Sequence, residues 1–248
     1  MDNALTAPAV VELAADTMLV AGDNTFREFS GWDHGWNWLG RHHPPAHDDV
    51  VCLCNETFMA DREAADFYSL DPTVTQEHIG RGSLIGHVDG LPQDMCLFGT
   101  SMRHWMRSNL VLMSARVLRE LSPLTLPLAD AELFVDDPAV FFRNRVDLDG
   151  RYRELIRGFL QGRPNAGLWR WHSAQPFTAV NLTAFRLKAR AILSEHSLSA
   201  RAVRNGHALV DLSQPRLLSK DLRNRLGYVL YVTGAWQLVP RFRRRFAG

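Results

Sequence analysis

The sequence predicts an α/β fold, a mostly parallel sheet flanked by helices and followed by a helical C-terminal extension. Three observations lead there. Through about residue 130, short β-type apolar runs alternate with short helical ones, an order that implies parallel strands joined by crossover helices. From about Asp147 onward the hydrophobic pattern is helical. At 248 residues, 46% of them hydrophobic, the chain can bury a full core. The division this implies is an α/β domain over residues 1–146 and a mainly helical extension over 147–248 packed on it.

Taken in order, Ala9–Ala15 suits a helix, and Thr17–Ala21 is a short apolar strand that ends at the turn residues Gly22-Asp23-Asn24. Trp32, Trp36 and Leu39 recur at helical spacing. Val50-Val51-Cys52-Leu53-Cys54 is a continuous apolar run that stops on two polar side chains, Asn55 and Glu56. Leu84–Val88 is a further strand, ending at the turn dipeptide Asp89-Gly90. Asn109–Met113 is another. Ser114 then caps a helix carrying Val117, Leu118 and Leu121, which Pro123 and Pro127 stop. In the second part, Tyr152–Leu160 closes before Gly162-Arg163-Pro164, and Leu182–Leu193 places Phe185, Ala189, Ile192 and Leu193 on one side. Asn205-Gly206 forms a helix C-cap after Leu198–Val203.

Composition removes several function classes. A formal net charge of +1 argues against a nucleic-acid binder that works by bulk charge. Cys52, Cys54 and Cys96 are an odd number of cysteines without framework spacing, which points to a reducing compartment and to buried structural thiols. Asp2 and Glu12 interrupt the start, so no signal peptide is expected. Leu226–Val239 falls short of the roughly 18–20 apolar residues of a spanning helix. His34, His42, His43 and His47 crowd one segment, but Pro44-Pro45 breaks it, and a solvated loop is expected there rather than a zinc site. No nucleophile elbow, Walker loop or dinucleotide glycine fingerprint is present.

Four constellations carry candidate chemistry, each with a plainer alternative. In an open α/β sheet ligands bind at the carboxyl ends of strands, which singles out Asn55 and Glu56: hard oxygen donors for Mg²⁺ or Mn²⁺, or simply a turn and a helix cap. The loop holding Asn24, Arg27 and Glu28 precedes a helix and suits a phosphate-bearing ligand, or is an ordinary capped loop. His87 and Asp89 flank a strand end, where either acts as a general base or merely forms the turn. Trp105, Arg107, Ser108 and Asn109 combine an aromatic platform, a cation and hydrogen-bonding groups suited to a sugar ring, or surround a buried tryptophan.

The succession Asn24, Arg27-Glu28-Phe29-Ser30-Gly31-Trp32 and Gly35, then Asp49-Val50-Val51 through Asn55-Glu56-Thr57-Phe58, then Leu84-Ile85-Gly86, then Trp105-Met106-Arg107-Ser108-Asn109-Leu110 resembles the rhamnan-synthesis-type glycosyltransferases of bacterial surface polysaccharides. It covers roughly Thr17 to Leu121. The resemblance implies a GT-A-like fold and transfer of a sugar from a nucleotide-diphospho-sugar to a hydroxyl of a glycan or lipid-linked glycan acceptor. By position it implies Asn55 and Glu56 for a Mn²⁺ or Mg²⁺ ion and the donor diphosphate, with Asn24, Arg27 and Glu28 toward the nucleotide. Trp105, Arg107, Ser108 and Asn109 would line the sugar or acceptor side, and Asp89 or His87 would deprotonate the acceptor. The expected location is cytoplasmic, with peripheral contact at the inner face of the membrane through the tail, where Tyr228, Tyr231, Trp236 and Phe242 mix with four arginines. Glu56 stands where the family pair usually ends in Asp, and Met1–Pro8 leaves little room for a first strand. Both departures favour an alternative, a non-catalytic accessory protein of polysaccharide biosynthesis that has lost donor binding. A third reading is an α/β regulatory or binding domain unrelated to sugars.

Overall fold

The computed structural model describes residues 10–22, 25–55, 57–58, 67–163 and 171–213. It begins with a hairpin. Val10–Ala14 forms β1 and Thr17–Val20 forms β2, paired antiparallel with Val10 opposite Val20 and Ala14 opposite Thr17. The helix expected over Ala9–Ala15 is therefore a strand. Val10 and Val11 are β-branched and stiff at χ1, and the two-residue Ala15-Asp16 connection lets them pair at once with the strand that follows.

Helix α1 (Glu28–His42) matches the Trp32, Trp36 and Leu39 spacing and buries Phe29, whose ring meets Trp32 edge-on at 5.0 Å. A four-stranded sheet joins β3 (Val50–Cys54), β4 (Leu84–Leu97), β5 (Thr100–Ser114) and β6 (Leu209–Asp211) in the order β3-β5-β4-β6. Strands β3 and β5 are antiparallel, from Val50 opposite Ser114 to Cys54 opposite Leu110. Strands β4 and β6 are parallel over Leu84–Gly86 and Leu209–Asp211. The fold is thus α/β with a mixed, mostly antiparallel sheet, and the parallel arrangement expected from the sequence is confined to one short pairing. Its cause is local. Asp89-Gly90 lies inside β4 and makes no turn there. The chain reverses at Phe98-Gly99, both at positive φ (49° and 75°), as a two-residue hairpin requires.

Two compact units interleave along the chain, one of residues 1–45, 90–105 and 119–206, the other of residues 46–89, 106–118 and 207–248. In the first, the short α4 (Asp130–Leu133) precedes helices α5 (Gly150–Gln161) and α6 (Leu182–Arg204), which carry Tyr152, Ile156, Leu160, Phe185, Ala189 and Leu193 into a core completed by Phe134, Phe141, Phe142 and Phe177. Gly162 closes α5 in the left-handed conformation, φ 68°, as its place after Leu160 foretold. The helices read separately as Leu182–Leu193 and Leu198–Val203 are one helix, ending at the expected Asn205-Gly206 cap. Two of the polar residues between them, Ser194 and His196, are buried and partnered: Ser194 Oγ accepts from Leu126 N at 3.3 Å, and His196 Nδ1 shares a 2.8 Å hydrogen bond with the Tyr152 hydroxyl.

The second unit packs Ile79, Ile85, Leu110, Leu112, Val210 and Leu212 together. Helix α2 (Pro72–Gly80) is capped by Asp71, whose Oδ1 accepts from Thr73 N at 2.9 Å and Val74 N at 3.2 Å. Helix α3 (Ala115–Leu121) follows β5 directly. Ser114 Oγ accepts from Val117 N at 3.3 Å, the cap read from the sequence. Among the described residues no helix is long and apolar enough to cross a membrane. The tail carrying Tyr228, Tyr231, Trp236, Phe242 and the arginines lies outside the described residues.

Candidate functional site

The second unit holds six of the residues singled out above: Asn55, His87, Asp89, Arg107, Ser108 and Asn109. Their segments lie on or beside β3, β4 and β5, which are neighbours in the sheet. The Asn55 amide, one residue past β3, donates to Asn109 O at 3.3 Å and so continues the β3–β5 pairing. One strand over, the Arg107 guanidinium holds Asp89 on β4, with Nε on Oδ2 at 2.5 Å and Nη2 on Oδ1 at 3.2 Å. Their side chains are 33% and 20% exposed, so the pair is only partly screened by water.

Strand alternation sorts these side chains. Arg107 and Asn109 share one face of β5 while Ser108 points to the other, and His87 shares a face of β4 with Asp89. The sequence grouped Ser108 with its neighbours; the pleat separates it. Asn109 is buried, and its Oδ1 accepts from Leu110 N at 3.1 Å. Asn55 Oδ1 accepts from both Thr57 N at 3.0 Å and Thr57 Oγ1 at 2.7 Å, a turn that the residue type two positions on made legible.

Arg27, Glu28 and Trp105 belong to the first unit. Arg27 precedes α1 at φ 55°, a region few non-glycine residues enter. The Ser30 hydroxyl steadies this entry, donating to Arg27 O at 3.0 Å and accepting from Phe26 N at 3.1 Å. Glu28 stands in the first turn of α1, where a carboxylate complements the helix dipole. The Trp105 ring lies 4.4 Å from that of His196 and packs against the first unit's core, the plainer of its two readings. Asn24 and Glu56 lie outside the described residues.

The donor set can be tested against a divalent metal from what is described. Such an ion needs several oxygen ligands at once. Both Asp89 oxygens accept from Arg107, and Asn55 Oδ1 is held by Thr57. Among the described residues no three His, Cys, Asp or Glu side chains converge in a way that would hold a metal. These residues do not by themselves make a Mn²⁺ or Mg²⁺ shell.

Two features escaped the sequence reading. In the first unit a cleft of about 450 Å³ is lined by Trp36, Asn37, Gly40, Arg41, Pro44, Pro45 and Arg119. The thiols of Cys52 and Cys54, expected to be buried, are exposed, as is Cys96. A run of apolar residues reads as a covered strand, but β3 is an edge, and its alternate residues face water. No protein-family model matches the chain, and neither a curated protein nor a solved structure is significantly similar to it.

Proposed function

We propose that the protein is a glycosyltransferase that moves a sugar from a nucleotide-diphospho-sugar to a hydroxyl of a bacterial surface glycan or lipid-linked acceptor, on a divergent GT-A-like sheet. One arrangement supports this reading. Three segments that lie far apart in the sequence, around Asn55, His87 with Asp89, and Arg107 with Asn109, lie on neighbouring strands of one sheet. Polar and charged side chains gathered beside a strand end are the usual setting of a ligand site in an α/β protein. The chemistry assigned here to this chain's residues is modest. His87 takes the acceptor proton, and both oxygens of Asp89 accept from Arg107. Asp89 fixes the Arg107 fork, and the positive charge of Arg107 would face an anionic donor group.

The accessory-protein reading draws on a specific observation too. The Asn55 carbonyl and the Asp89 carboxylate are both satisfied within the protein. Calorimetric titration with a panel of nucleotide sugars, with and without Mn²⁺, separates the two. Binding of one donor that weakens in Arg107→Ala supports the transferase, and metal-dependent binding lost in Glu56→Ala brings Glu56 into the site. Absence of binding to every donor removes the transferase and leaves the accessory protein.

A further inference from the structure

The cleft at the end of α1 takes no part in the chemistry above. Trp36, Asn37, Gly40 and Arg41 line it from the i, i+1, i+4 and i+5 positions of one helix, so they share a face. Pro44-Pro45 cannot continue the helix, and it borders the cleft as apolar surface without backbone N–H donors. Arg119 reaches in from α3, donates to Pro45 O and lays its guanidinium over the Trp36 ring at 5.7 Å. Arg41 Nε donates to Asn37 O at 3.1 Å. Both arginines are exposed, and among the described residues neither is paired with a carboxylate. Their two whole charges outweigh the roughly half an elementary charge of negative sign that the carbonyls at the end of α1 present. Gly40 points the same way. Glycine destabilises a helix interior, yet neither a close neighbour nor a left-handed backbone requires it here, because an added Cβ would meet nothing within 4 Å. What its missing side chain does is leave the wall beside Trp36 bare.

We propose that this cleft is a binding site for a small aromatic anion, a planar ring carrying a phosphate or carboxylate group. Its volume of about 450 Å³ lies within the range of small-molecule sites, about 300–1,000 Å³. The ring covers Trp36 and the two prolines, where stacking adds to the burial of apolar surface. The anionic group meets Arg41 and Arg119, whose planar guanidiniums suit phosphate and carboxylate oxygens. Pro45 O already holds Arg119 over Trp36, so little side-chain freedom is left to lose on binding. A neutral ring would leave both charges unanswered, and an anion without a ring would leave the apolar wall wet. The site lies wholly within the first unit and is independent of the sugar-transfer reading, which rests on the sheet residues of the second.

Calorimetric titration of the full chain with adenosine monophosphate, indole-3-acetate, adenosine and inorganic phosphate tests this. At least one of the two ring-bearing anions should bind about tenfold or more tightly than adenosine or phosphate alone, and which of them does so tells phosphate from carboxylate as the group recognised. Added salt should weaken that binding. Arg41→Gln and Arg119→Gln should each lower the affinity by about five- to tenfold. In Gly40→Leu the new side chain leans toward the preceding turn and so over Trp36. That variant should lose binding without a lower melting temperature, since a helix former replaces glycine in open space. Phosphate or adenosine binding as tightly as the ring-bearing anions, binding that persists in a folded Gly40→Leu or in both arginine variants, or no binding of either ring-bearing anion would each overturn the proposal.

Discussion

Arg107 grips Asp89 through both carboxylate oxygens, at 2.5 Å and 3.2 Å, from a neighbouring strand of the same sheet. Neither side chain is fully in water, at 33% and 20% exposure. The pair therefore falls between an exposed ion pair, worth under about 1 kcal/mol, and a buried one whose disruption costs about 3–5 kcal/mol. Asp89→Ala and Arg107→Ala should each destabilise by about 1–2 kcal/mol, and the double variant should lose less than the sum of the two. Urea unfolding of all four proteins provides the cycle. Strict additivity would mean that the two side chains do not act on each other.

His196 supplies a pH dependence with a definite sign. Complete burial between Tyr152 and Trp105 holds its imidazole down at about 3, against an ordinary value of 6.5. The unfolded chain then takes up a proton below about pH 6.5 that the folded chain refuses until about pH 3. Stability is fully present above that window and falls as pH drops through it. Between pH 7 and pH 5 the loss from this one group is about 2 kcal/mol. Comparing urea midpoints at the two pH values checks it: His196→Asn should flatten the dependence, and an unaltered slope in that variant would assign it elsewhere.

How much of this could be read from the residues follows from where their neighbours lie in the sequence. Caps and stops were legible because their partners are within four positions, as with Ser114 and Val117, or Gly162 after α5. The hairpin turn was misplaced because Asp89-Gly90 has turn chemistry while Asp89 is committed, across the sheet, to Arg107. Ser194 and His196 fall between two segments that read as separate helices, yet their partners Leu126 and Tyr152 lie 68 and 44 residues away. Strand β6 has three residues, too few for any periodicity. Of the candidate site, the segments were legible but not their sorting, since Trp105 turns to His196 while Arg107, two residues on, turns to Asp89.

Asp33 and Arg201 pin the same turn with opposite chemistry. Asp33 accepts from Leu124 N at 2.6 Å, Thr125 N at 3.0 Å and Thr125 Oγ1 at 2.8 Å. Arg201 donates to the carbonyls of Leu121, Pro123 and Leu124 at 2.6, 2.7 and 3.3 Å. Asp33→Ala strips acceptors from two backbone N–H groups and should cost about 2–4 kcal/mol. Asp33→Asn keeps one acceptor oxygen and should lose less. Thermal melts rank the two, and equal stability of wild type and Asp33→Ala would show that water replaces the carboxylate.

Two glycines give substitutions of opposite sign. A Cβ on Gly86 would come within 2.4 Å of Leu110 O and 2.9 Å of Met106 Sδ, and the first of these is backbone that yields only if β4 and β5 part. Gly86→Ala should therefore destabilise by about 3 kcal/mol or more, the range of forced overpacking. Gly40, inside α1, has nothing within 4 Å of the added carbon. Gly40→Ala should stabilise by about 0.5–1 kcal/mol, because the unfolded chain loses freedom that the helix never used. Urea unfolding of both variants reads the signs directly. A Gly86→Ala protein as stable as its parent would mean that β4 and β5 do not approach as closely as their pairing requires.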